Sequence, residues 1–285
     1  MNKLFTSLKN FNELVMFQHS IFSLPFIFIA MIVSAEGWFG WYLLFMGALA
    51  AITARNFAMG LNRYADRDID IKNPRTASRP SVDGRISANA ILVFTLLNAL
   101  GFIAIAFYIN TLALYLSVPI LAVLGSYSYF KRFSALAHII LGVSLGLAPI
   151  AGVVAVEAAI PLWSLFLSAG VLFWVAGFDL LYSLQDIEFD REEGLHSIPS
   201  RFGAKNTFRI AQVFHLLTLL FWYLFVAEAH LGLFAYIAVG FSAVMLAYEH
   251  YLVNKDFTKI DRAFFTVNGY LGIIFIILII LEKAF

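Results

Sequence analysis

Apolar runs of about twenty residues, separated by polar breaks, repeat along the whole chain, and few folds can accommodate them. A helix needs roughly 20 mostly apolar residues to cross the hydrocarbon core of a bilayer. Inside that core every backbone polar group must find an internal partner, so such runs read as membrane helices. Cutting the sequence wherever polar or turn residues interrupt the runs predicts nine spans, at 17–35, 40–62, 87–109, 111–130, 134–156, 161–182, 207–228, 231–252 and 263–282. Short connectors such as Glu36-Gly37, Asn110-Thr111 and Glu228-Ala229-His230 alternate with polar loops around 63–86, 183–206 and 253–262, which makes antiparallel neighbours the expectation. The first run, Ile21 to Val33 behind a weakly basic start, resembles a signal-peptide core. Eight further spans argue for an uncleaved first helix. The expected fold is therefore all-α, a polytopic membrane protein with nine transmembrane helices around a central cavity under a cytoplasmic cap, in one domain over 1–285.

Composition agrees. The 285 residues are 61% apolar and 13% charged, against about 45–50% and roughly 25% in a soluble domain. An ordinary soluble enzyme is excluded, and so is disorder, because 30 Phe, 12 Tyr and 5 Trp bury surface. There is no Cys, hence no disulfide framework, thiolate metal site or Cys nucleophile. The 19 Lys and Arg nearly cancel the 18 Asp and Glu, so no overall pull toward nucleic acid is expected. Their placement is lopsided: 17 of the 19 basic residues fall on one side of the nine-span plan, Lys283 falls on the other, and Arg55 lies inside the second span. Because Lys and Arg stay on the cytoplasmic side in short loops, the N-terminus is predicted to be cytoplasmic and the C-terminus external.

The acidic residues are also sorted, although the positive-inside rule makes no demand on them. Asn62, Asp66 and Asp70 follow one another at intervals of four at the cytoplasmic end of the second span. At about 100° per residue they fall within an arc of about 80°, if the helix continues. Asp68 points elsewhere. Asp179, Asp186 and Asp190 end the sixth span, within about 40° of one another on the same assumption. Two carboxylate faces at one membrane depth suit a diphosphate held through Mg2+, an ion usually bound by one or two carboxylates plus phosphate oxygens and water. The bland alternative is interfacial carboxylates paired with neighbouring Arg and Lys. Two such faces on one side, with ionisable groups costly in a membrane, favour a functional site.

These residues resemble the UbiA superfamily of intramembrane prenyltransferases. Its first acidic signature matches Asn62, Asp66 and Asp70, and its second, D-x-x-Y-x-x-x-D-x-x-x-D, matches Asp179, Tyr182, Asp186 and Asp190. A Y-x-x-x-K pair matches Tyr127 and Lys131, and the resemblance extends over the whole chain. Arg63 departs from the pattern, standing where an Asp often follows the Asn. The resemblance implies Mg2+-dependent transfer of a polyprenyl group from its diphosphate to a lipophilic or aromatic acceptor. Asp66, Asp186 and Tyr182 would be the catalytic residues, and Asn62, Asp66, Asp70, Asp179, Asp186 and Asp190 would hold the metal. Lys131, with Arg67 and Arg132, would contact diphosphate oxygens, although a positive-inside anchor is an equal reading of Arg132. Tyr182, then Tyr127, would face the allylic cation with their rings.

Arg55 lies about two turns deeper than Asn62 and points within about 20° of it. A guanidinium keeps its charge in a bilayer, so Arg55 is expected to bind the acceptor carboxylate or the diphosphate, the alternative being a permanent salt bridge with an Asp of the cluster. The stretch 71–86, with a turn at Asp83-Gly84, is expected to cap the site, where Arg75 and Arg79 either close over the diphosphate or stay solvated. The six His show no metal-ligand spacing and read as interhelical hydrogen bonders; Glu249 is expected near Lys255 and Arg262. Spans 1–4 and 5–8 have the outline of a repeat. The leading reading is a polyprenyltransferase acting on 4-hydroxybenzoate in quinone biosynthesis, with a dihydroxynaphthoate acceptor as a variant. A cation-coupled transporter is the rival from another class, and it would place its acids near the midplane.

Overall fold

In the computed structural model the described residues are 2–16, 24–256, 260 and 263–285. Among them every regular element is helical: α1 (Asn2–Val15), α2 (Leu24–Ser34), α3 (Trp41–Ala65), α4 (Arg67–Asp70), α5 (Ala88–Ile109), α6 (Thr111–Phe130), α7 (Ala137–Glu157), α8 (Leu162–Tyr182), α9 (Ile187–Glu192), α10 (Ile198–Glu228), α11 (Leu233–Lys255) and α12 (Asn268–Ala284). Eight helices among the described residues are long and apolar enough to cross a membrane. Of the first predicted span residues 24–35 are described, and Leu24–Ser34 forms a shorter apolar helix. His19 and the rest of residues 17–23, with Lys259 and Arg262, lie outside the described residues.

The helix ends follow local chemistry. Ser87 caps α5 by accepting from the Ala90 N–H, and Asn110 caps α6 by accepting from the Ala113 N–H, each satisfying an otherwise orphaned donor. The loop expected to run to 206 ends early. Ser197 and Ser200 form a reciprocal capping box that starts α10 at Ile198, and a kink at Gly203 (φ +77°) redirects the helix into the membrane run. The unforeseen element is α1, whose polar sequence has no apolar run to betray it. Its Leu14 is buried with Ile86 and Ile91.

The helices close on themselves. Neighbours in sequence pack side by side from α5 to α8, α8 lies between α7 and α10, and α12 packs against both α11 and α2. The tightest part is an aromatic knot in which Phe26 lies 5.1 Å from Trp174 and 5.3 Å from Trp222, with Phe275 5.1 Å from Trp222, measured between ring centroids. Exposed Leu96, Leu97, Leu100 and Phe107 on α5 give the opposite, lipid-facing surface. Exposed Trp38, Trp41 and Tyr42 gather at one end of the bundle, as aromatic side chains do at membrane interfaces.

Two irregularities position the site. α3 stops at Ala65, Asp66 takes φ −95°, ψ 7°, and the four-residue α4 follows. α8 stops at Tyr182, a 3₁₀ turn spans Ser183–Asp186, and Asp186 takes φ −104°, ψ 7° before α9. The two central aspartates thus share one sparsely used backbone conformation, common at active sites. The expected arcs of 80° and 40° assumed unbroken helices, and neither segment is unbroken.

Candidate active site

α3 and α8 face each other across a cavity of about 660 Å³ that α2, α5, α6 and α7 complete. Small side chains make the room: Gly47, Ala50, Ala51, Ala54 and Ala58 on α3, and Ala148, Ala151 and Ala155 on α7. One end is polar. Asn62, Asp179, Tyr127, Tyr182 and Arg55 of the expected site line it, together with Arg63, Arg75, Arg79 and Glu13.

Asp66, Asp70 and Asp186 stand behind this lining, each held by a cation. Lys131 Nζ lies 2.7 Å from Asp66 Oδ2, and Arg79 lies 2.7 Å from Asp70 Oδ1. Arg75 grips both oxygens of Asp186, at 3.1 and 2.6 Å, in the forked geometry that suits guanidinium. Asn73 donates to the same carboxylate at 3.2 Å. Asn62 donates to Asp66 at 2.7 Å and to Ser128 at 3.2 Å, linking α3 to α6. Asp66 is only 2% exposed; burial pushes its carboxyl above the usual range, and the Lys131 charge opposes that.

Asp179 has a different partner, His138 Nδ1 at 2.7 Å. His138 is indeed an interhelical hydrogen bonder, from α7 to α8. Tyr182 accepts from Arg75 at 3.3 Å, and the Arg75 guanidinium also lies 5.5 Å from its ring centre. Arg75, Ser78, Arg79 and Pro80, from the polar stretch after α4, are among the residues that line the cavity.

Other expected residues are placed differently. Arg132 chelates Asp68 at 2.7 and 2.9 Å on the exposed rim, which holds the Asp68 carboxyl below the usual range. Arg67 donates to the Ser81 carbonyl at 2.9 Å and so ties α4 to the polar stretch that follows it. Neither lines the cavity. Asp190 does not line it either, and its backbone carbonyl accepts from the Leu195 N–H. Arg55 donates to the Met16 and Val15 carbonyls at 2.9 and 3.3 Å, with no carboxylate partner among the described residues. The permanent salt bridge weighed for Arg55 is thus absent there. Glu249 is not an interfacial partner of Lys255: it is 1% exposed and accepts from Asn268 at 2.8 Å, while Lys255 donates to Tyr251.

Arg63 is the residue whose placement sequence reasoning missed. It is 4% exposed, lines the mouth, and donates to the Leu14 carbonyl at 3.2 Å and Asn62 Oδ1 at 3.2 Å. With Arg55 it clasps the last turn of α1, where helical carbonyls lack intrahelical partners. Its departure from the acidic pattern was the only available signal.

Asp66 Oδ1 and Asp70 Oδ2 are buried without hydrogen-bond partners. Among the described residues no three Asp, Glu or His side chains converge into a closed cage. Hard, partly unsatisfied carboxylate oxygens just behind a cation-lined mouth fit Mg2+, which takes few protein ligands and completes its shell with phosphate oxygens and water.

Comparison with known proteins shows the family and the fold. Residues 23–277 match the model of the UbiA prenyltransferase family. The chain is 30% identical over 245 residues to a 4-hydroxybenzoate octaprenyltransferase of Herminiimonas arsenicoxydans, covering 85% of each chain. It is 32% identical over 256 residues to one of Burkholderia ambifaria, covering 85% of this chain and 83% of the relative. The apo structure of a UbiA homolog from Aeropyrum pernix superposes with a TM-score of 0.84 at 32% identity, covering 93% of this chain and 98% of that one. A UbiA homolog from Archaeoglobus fulgidus, solved with DMAPP and Mg2+, shares the fold with a TM-score of 0.78 at 19% identity, covering 96% and 99%.

Proposed function

Because the chain belongs to the UbiA prenyltransferase family, we propose that it transfers a polyprenyl group from polyprenyl diphosphate to the ring of 4-hydroxybenzoate, in respiratory quinone biosynthesis. The observation that carries this reading is a charged mouth of carboxylate and cation pairs set directly over an apolar shaft. An amphiphilic diphosphate has that same division. A cation-coupled transporter would need its acids near the midplane, whereas these stand at helix ends.

The pairs are poised to exchange partners. In the absence of substrate each carboxylate neutralises a neighbouring cation, which limits the cost of holding charge in a membrane. Diphosphate gives Lys131, Arg75 and Arg79 phosphate oxygens to bind, and this frees Asp66, Asp70 and Asp186. Those carboxylates, with Asn62, Asp179 and Asp190, would hold Mg2+, whose chemistry is to neutralise charge on the leaving diphosphate. Tyr182 and Tyr127 turn aromatic faces toward the allylic carbon, and the apolar wall below excludes water. Arg55, deeper than Asn62 and with no carboxylate partner among the described residues, takes an anionic group of the acceptor or the diphosphate. The protein sits in the cytoplasmic membrane with its N-terminus and the mouth on the cytoplasmic side and its C-terminus outside.

The acceptor is tested by offering labelled 4-hydroxybenzoate and a dihydroxynaphthoate side by side with one prenyl diphosphate and Mg2+. Faster prenylation of the benzoate supports the proposal. A preference for the naphthoate moves the enzyme to menaquinone biosynthesis, and transfer to neither removes the aromatic-acid reading.

A further inference from the structure

Asp179 stands apart from the other carboxylates of the site. Asp66, Asp70 and Asp186 are each held by a Lys or Arg, and two of those cations, Arg75 and Arg79, line the cavity, where diphosphate can draw them away. Asp179 lines the cavity itself and is held by an imidazole, with His138 Nδ1 2.7 Å from its Oδ2. An ionised carboxylate can only accept, so Nδ1 carries the hydrogen and donates it. His138 is 7% exposed, does not line the cavity, and has no hydrogen-bond partner at Nε2 among the described residues. Its one side-chain bond there goes to Asp179, and a ligand in the cavity has no access to the imidazole.

That bond is not what joins α7 to α8. The two helices already lie so close that a Cβ at Gly142 would collide with the Leu172 carbonyl oxygen, and Ser168 Oγ on α8 donates to the Gly146 carbonyl on α7. What the bond fixes is the carboxylate. With Oδ2 taken, Oδ1 is left for a ligand, and the side chain is oriented before any ligand arrives, as hydrogen bonds to metal-binding carboxylates do elsewhere. We propose that His138 is the positioning residue for Asp179: it holds this carboxylate as the standing Mg2+ ligand of the site, whereas Asp66, Asp70 and Asp186 are freed only as diphosphate takes their cations. The inference rests on the metal-diphosphate reading above.

The test titrates the full-length protein in lipid nanodiscs with Mn2+, read as free ion by electron paramagnetic resonance, in the presence of a geranyl thiolodiphosphate that resists ionisation. His138→Leu and His138→Ala should weaken Mn2+ binding about 10–100-fold. His138→Asn, whose amide nitrogen can stand where Nδ1 does, should bind within about threefold of the wild type. Ser168→Ala removes a different bond between α8 and α7 and should leave Mn2+ binding unchanged. In the transfer assay the half-saturating Mg2+ concentration should rise by the same factor in His138→Leu, with kcat at saturating Mg2+ kept within about threefold. Unchanged Mn2+ binding in folded His138→Leu or His138→Ala would overturn the proposal, and so would an equal loss in Ser168→Ala, which would make the effect one of helix packing. A loss of about tenfold or more in folded His138→Asn would also overturn it, and this variant decides the matter if the two apolar ones fail to fold. A wild type that binds no Mn2+ with the probe would count against the metal reading of the whole site, an outcome visible before any variant is made.

Discussion

Removing the Arg75 side chain separates the role of that residue in the substrate-free pairs from its role on substrate. Arg75 is 36% exposed and its partner Asp186 is 18% exposed, so solvent screens the pair and its share of stability is about 1 kcal/mol, the upper end for exposed pairs. Asp186 also keeps the Asn73 donor when Arg75 is gone. Arg75→Ala should therefore lower Tm by only a few degrees, about 2–4 °C for a protein of this size. Catalysis should suffer far more, because a fixed donor aimed at developing negative charge is worth about 2.7–4 kcal/mol, a loss of 10²–10³ in kcat. The assay is prenyl transfer in nanodiscs with saturating Mg2+, alongside a thermal melt of the same sample. A double-mutant cycle with Asp186→Ala distinguishes two accounts. If Arg75 only neutralises Asp186, removing both should recover activity relative to Arg75→Ala. If the two exchange partners on substrate, one toward phosphate and the other toward metal, the losses should compound. Recovery in the double variant, or an unchanged kcat in Arg75→Ala, would refute the reasoning.

Other outcomes follow from the same structure. Arg55→Ala should raise KM for one of the two substrates selectively, since no ion pair with a described residue is lost; equal losses for both with a lowered Tm would assign it to holding α1. Glu13 and Asp68 are held below the usual carboxylate range by Arg85 and Arg132. Their stabilisation is complete above the unfolded range of about 4 and is lost as pH falls below it, so Tm should drop less on acidification in a Glu13→Gln, Asp68→Asn double variant. Glu282 accepts from the Gly232, Phe234 and Ala235 N–H groups at the start of α11, at 2.6, 2.9 and 3.3 Å. Glu282→Ala should cost about 1–2 kcal/mol in a thermal melt through loss of that cap, with transfer unaffected at low temperature. Chelation by EDTA should abolish transfer, and added Mg2+ should restore it.

The spans from 40 onward and the acidic segments were legible in the sequence because each is a local pattern: an apolar run of fixed length, or carboxylates at helical spacing. What the sequence left hidden depends on distance or on broken regularity. Arg75 meets Asp186 at a sequence separation of 111 residues, and nothing local could choose Asp186 over Asp70 as its partner. Asn73 carries no signal at all. Lys131 pairs with Asp66, whereas Arg132, its neighbour, turned to Asp68 because the α6 end points successive side chains in different directions. The helix breaks at Asp66 and Asp186 were invisible to a periodicity that assumes continuity. α1 escaped because it is held by the Arg55 and Arg63 guanidiniums on its carbonyls and by a few apolar contacts, not by an apolar run. The Gly203 kink extended α10 into a stretch whose polarity reads as loop.

The central claim is that carboxylates from the two helix breaks act together on a metal-bound diphosphate. It is tested most directly by measuring prenylated product from labelled 4-hydroxybenzoate, a polyprenyl diphosphate and Mg2+ with the wild type, Asp66→Ala and Asp186→Ala in the same membranes. Each substitution alone should reduce product at least 10²-fold while the protein stays folded and inserted. Product formation untouched by either substitution would contradict the account.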